Sequence, residues 1–174
     1  MTMQASVAPL IEPEVLRLRP WVAFAVAVAA LLLQAYLPLF SNYANFVDWP
    51  LLVTVYLALL RRNPITGLLI GLAIGLGQDS LSNGPIGLYG ITKTIIGYSA
   101  SSLTSLLAAD PLAYRVILSA GFYLFHQGFF WLLQRVIVGE GGSFAWQRTL
   151  LLAGVNCLAA LLVYRFLDRF REST

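Results

Sequence analysis

In the segment GLGQDSLSNGPIGLYGITKTIIGY, residues 75–98, an amide (Gln78), a carboxylate (Asp79) and an ammonium (Lys93) interrupt runs that are otherwise apolar. An acid and a base so placed could form an ion pair, pass a proton, or hold an ion or a polar ligand. Within a bilayer each ionised side chain costs about 2.5–3.5 kcal/mol near a helix centre, so such groups pair or serve a function. His126 and Gln127, in LFHQGFFW, are the next polar groups set in an apolar run. No Cys, Asp or second His stands at metal-ligand spacing from His126, which argues against zinc or haem chemistry; a hydrogen bond between helices is the expected role. No phosphate-binding loop, nucleophile elbow or His-Glu-x-x-His pair occurs, so the sequence points to a protein that is not an enzyme and calls for no cofactor.

The elements that must position these residues follow from composition. Of 174 residues, 59% are hydrophobic and 11% charged, less than half the charged share of an average soluble domain. The polar residues gather in short breaks between apolar runs, the pattern of an all-α, polytopic membrane protein. A net charge of +3, with basic residues single or paired at the ends of apolar runs, is no nucleic-acid footprint. Cys157 stands alone in an apolar run and is read as a small buried residue.

Six helices are expected, over 21–40, 48–60, 64–81, 86–108, 112–137 and 146–166. Asn63-Pro64 and Asp110-Pro111 each offer a cap followed by Pro at the first helical position, and Ser143 is placed to cap the last helix. SNGP, residues 82–85, is a tight connection, and GEGGS, residues 139–143, a flexible one. The second helix is short for a span of about 20 residues, so it must begin earlier or sit where the membrane thins. The first run, Trp21 to Phe40, is too long for a cleaved signal peptide and is expected to stay in the membrane.

With six crossings, Arg17, Arg19, Arg61, Arg62, Arg115, Arg165, Arg169 and Arg171 fall on one side, and Arg135 and Arg148 on the other. Positive charge concentrates on the cytoplasmic side, so both termini are expected there. The domain plan is a cytoplasmic segment over 1–20, a transmembrane domain over 21–167 and a cytoplasmic tail over 168–174.

On this plan Asp79 lies about one turn from the outer end of the third helix, and Lys93 about two turns into the fourth from the same side. Their depths differ by about 6 Å, within reach of a lysine stem, so an Asp79–Lys93 clasp across the hairpin is expected. A ligand, ion or partner site is the functional alternative. Gly67, Gly71 and Gly75 recur every four residues and mark a face for close helix approach, either within the protein or toward a partner.

Residues 49–98, WPLLVTVYLALLRRNPITGLLIGLAIGLGQDSLSNGPIGLYGITKTIIGY, resemble the core of the bacterial rod shape-determining protein MreD. The likeness rests on a short helix ending in ALLRR, a Gly-rich helix ending in Gln78-Asp79, then Gly84, Pro85, Gly87 and Tyr89 of GPIGLYG, and a Thr/Lys-bearing helix. The resemblance implies an inner-membrane protein of the cell-elongation machinery, bound to the bitopic protein MreC. RodA, a penicillin-binding transpeptidase and MreB would belong to the larger complex, and a homodimer is left open. It also implies a fold similar to the substrate-binding subunits of energy-coupling-factor vitamin transporters. The family brings no catalytic residues. The alternative function is a vitamin-type binding subunit of such a transporter, which would need a deep polar pocket. The outer half offers few polar residues for one beyond Asn42, Asn45, Asp79, Lys93 and Gln127.

Overall fold

A computed structural model describes residues 16–40, 45–61, 63–82, 84–106, 112–139 and 142–173. Asn42, Arg62, Asn83, Asp110-Pro111 and the centre of GEGGS lie outside them. Six helices are described: α1 (Pro20–Tyr36), α2 (Trp49–Leu59), α3 (Pro64–Leu81), α4 (Leu88–Leu106), α5 (Leu112–Leu133) and α6 (Trp146–Leu167). A 3-10 turn extends α1 through Leu39, and a π turn extends α5 over Gln134–Val138. Four of these units are long and apolar enough to cross a membrane: Pro20–Leu39, Pro64–Leu81, Leu112–Val138 and Trp146–Phe170. The architecture is the expected all-α, six-helix membrane bundle.

Proline and asparagine set the start of α3: Asn63 accepts the Ile65 N–H at 2.9 Å, and Pro64 fills the first helical position. Ser143 does not cap α6 as expected. That helix starts at Trp146 behind Ala145, with no side-chain cap.

The short second helix is the centre of the molecule. Every residue from Pro50 to Leu59 is buried. One flank, with Leu52, Val53, Tyr56 and Leu57, packs with residues of α1, α3 and α6. The other, with Leu51, Val55, Ala58 and Leu59, packs with Ile96 and Ala100 of α4, Tyr123 of α5 and Ala153 of α6. Lipid is as apolar as these side chains, so dispersion and close fit hold such a helix in place more than escape from water does. It does not begin earlier. Its 11 residues span about 16 Å, roughly half the hydrocarbon thickness.

At one end of the bundle, the described parts of the segments read from sequence as tails are paired. β1 (Leu16–Leu18) and β2 (Arg171–Ser173) form an antiparallel pair, with Leu18 opposite Arg171. Arg115, counted among the charges of the cytoplasmic side, is buried near the start of α5 and grips Asp168 with two bonds of 2.9 and 2.8 Å. Arg171 Nε reaches Asp168 at 2.8 Å, and the Tyr56 hydroxyl donates to the same carboxylate at 2.9 Å. The planar guanidinium suits this two-point contact, which ties the end of α6 to α5 and α2.

Candidate functional site

The opposite, distal end holds the chemistry. Asp48 is the N-cap of α2, its Oδ1 accepting the Leu51 N–H at 2.9 Å. Its own N–H donates to Asn156 Oδ1 of α6 at 2.9 Å, and Trp49 N–H donates to Gln34 Oε1 of α1 at 3.1 Å. Asn156 Nδ2 in turn donates to the carbonyls of Phe46 and Leu152, at 2.8 and 2.9 Å. These side chains serve the backbone donors that a helix start leaves without partners, deep among apolar helices.

Lys93 of α4, 0% exposed, points its Nζ between both carboxylate oxygens of Asp48, at 3.4 Å each. His126 Nε2 of α5 lies 3.3 Å from the same Nζ. An ammonium has only donors, so Nε2 accepts and the imidazole proton sits on Nδ1, 3.7 Å from Asp48 Oδ2. Two charges at this separation attract by about 5 kcal/mol at an effective dielectric of about 20, against several kcal/mol of desolvation for each ion. The triad is therefore close to neutral in net stability, and expensive to break on one side.

The expected Asp79–Lys93 clasp is not formed: among the described residues no ion pair joins them. Asp79, 1% exposed, accepts the N–H groups of Tyr89 at 3.0 Å and Gly90 at 2.8 Å. These are free donors in the first turn of α4. The residue ahead of that turn, Gly87, has φ +104° and no side chain with which to cap it. A carboxylate from the preceding helix does the capping, and suits the positive end of the helix dipole. Depth alone made Lys93 look reachable from Asp79.

The remaining motif residues fall around this joint. Gly90 has no side chain where a Cβ would stand 3.2 Å from Asp79 Oδ2, and Gly84 and Pro85 are exposed in the turn. Tyr89 stacks on Phe130 with ring centroids 4.5 Å apart, and the Lys93 ammonium lies 5.2 Å from its centroid. Gln78 is buried beside them. Gly67, Gly71 and Gly75 all face α4: a Cβ at Gly67 would strike Gly97 and Ser101, at Gly71 the Lys93 carbonyl, and at Gly75 the backbone of Tyr89 and Gly90. The glycine face thus lets α3 approach the stretch of α4 that presents Lys93.

Beside the triad lies a cavity of about 210 Å³, lined by Gln34, Asn45, Asp48, Gln78, Tyr89, His126, Gln127 and Phe130, among others. The space has a physical origin, because α2 stops about halfway and leaves its distal half unfilled. The polar convergence judged scarce from sequence is present, assembled from α1, α3, α5 and the segment before α2. Asp48 went unnoticed as a site residue. The signal was there in Asp48-Trp49-Pro50, an acid placed to cap an apolar helix.

No curated protein and no solved structure matches the chain. The family model described as rod shape-determining protein MreD matches residues 16–170, nearly the whole length. The match takes in α5 and α6, which the resemblance over residues 49–98 did not reach. The chain belongs to the MreD family, membrane proteins with a role in determining rod shape.

Proposed function

We propose that this protein is a non-catalytic scaffold subunit of the cell-elongation machinery in the bacterial inner membrane. It binds an MreC-like bitopic protein and supports peptidoglycan synthesis along the cell length. Both termini face the cytoplasm, and RodA, a penicillin-binding transpeptidase and MreB join the larger assembly. The observation that carries this reading is the family match over residues 16–170. The sequence supports it through the absence of catalytic motifs and the inward bias of its arginines. Depleting the protein in a rod-shaped host is expected to round the cells while vitamin uptake continues, and an MreC-like protein is expected to co-purify from native membranes. Cells that keep their shape but become auxotrophic would favour the second reading, a vitamin-type binding subunit of an energy-coupling-factor transporter. The cavity beside Asp48 is what keeps that second reading in play.

A further inference from the structure

The polar cavity holds more hydrogen-bonding capacity than the protein uses. Gln78 Oε1 and His126 Nδ1 are both buried and have no hydrogen-bond partner, and both residues line the cavity. One offers an acceptor and the other, with its tautomer set by Lys93, a donor. Buried polar atoms left without partners are destabilising, so such pairs of orphans are filled by water or by a ligand. The volume of about 210 Å³ would take about seven waters. Two further spaces share its walls, one of about 210 Å³ through Gln34, Gln78 and Tyr89, and one of about 360 Å³ through Asn45, Tyr123, Gln127 and Phe130.

The lining decides the ligand class. Three glutamines and Asn45 bring amides, each able to donate and accept, and they suit neutral groups that do the same. Lys93, the cation of the triad, is already matched by Asp48, so a charged ligand in this cavity would bring an uncompensated charge into a buried place. Arg148 is exposed and lines the 360 Å³ space beside it. Phe130, stacked on Tyr89, and the edge of Tyr89 provide aromatic surface beside the amides.

We propose that this cavity binds a small neutral polyhydroxylated or N-acylated ring, of the size of one sugar, between the amides of Gln78 and Gln127 and the aromatic pair Tyr89–Phe130. This site is independent of the scaffolding role, and either can fail without the other. The test uses the full chain in nanodiscs, titrated with glucose, N-acetylglucosamine or inorganic phosphate while its thermal midpoint is followed. At least one of the two sugars should raise the midpoint saturably, by about 3–6 °C at about ten times its dissociation constant. Gln78→Leu and Phe130→Leu should abolish the shift. If either does not fold, Gln127→Leu replaces it, since that residue is half-buried. No saturable shift with either sugar would mean that the cavity holds water, and would overturn the proposal. So would a shift that survives in the variants, or one produced by phosphate alone.

Discussion

Lys93 lies between a carboxylate and an imidazole, and Asp79 is engaged by backbone, so the two residues should behave as separate units under mutation. Removing one partner of a buried pair strands the other charge, at about 3–5 kcal/mol. Lys93→Met and Asp48→Asn are therefore each expected to lower stability by that order, with much of the loss regained in the double variant. The cap of α2 should survive in both Asp48 variants, because an asparagine in that place still accepts the Leu51 N–H. Asp79→Ala removes a remote cap and should cost about 0.5–2 kcal/mol. It should add to Lys93→Met with little coupling, since no hydrogen bond or ion pair joins the two side chains and only the attraction of their charges links them. Thermal unfolding of the purified variants in detergent reads all of this. Strong coupling between Asp79 and Lys93, with none between Asp48 and Lys93, would contradict the geometry.

At the level of elements, the joint between α3 and α4 is the largest helix contact in the bundle, and it depends on glycine. A methyl group at Gly71 would meet the Lys93 carbonyl, which cannot yield without moving α4. Gly71→Ala is expected to reduce folded yield and to shift Lys93 away from Asp48. Gly121, on α5, has nothing within 4 Å of the same methyl position. Gly121→Ala should instead be neutral or stabilising by about 0.5–1 kcal/mol, because alanine is the better helix former. Comparing the two variants by size-exclusion yield and thermal midpoint separates packing from propensity. Equal effects would mean that the close approach of α3 to α4 is not what the glycines provide.

For the molecule as a whole, the arrangement separates two ends with different jobs. One end is tied by Arg115, Asp168, Arg171 and the β1–β2 pair, whereas the distal end carries the triad and the cavity. If both termini are cytoplasmic, as proposed, the cavity lies toward the outer face. In a Cys157→Ala background, Ser143→Cys should react with an impermeant maleimide added to spheroplasts. Asn63→Cys should stay unlabelled until the membrane is opened. Both positions are exposed, so access alone decides the result. The reverse labelling would turn the cavity to the cytoplasm.

What the sequence determined by itself was the set of helices and their boundaries to within a few residues. Long apolar runs can satisfy their backbone only as helices in lipid, and Pro, Gly and Asn mark where they stop. The glycine spacing likewise announced a close helix contact. Tertiary structure alone decided which partner each charge takes. Asp48 and Lys93 are 45 positions apart, and His126 another 33 beyond, so no local rule relates them. They meet because α2 is short enough to begin at mid-depth, where α4 and α5 pass. Asp79 followed a local rule, but one written in backbone: a helix start behind Gly87 lacks a cap, and the nearest carboxylate supplies it. The cavity was the least legible of all, since it is made by where a helix ends and four other segments do not, and a space has no residues of its own to read.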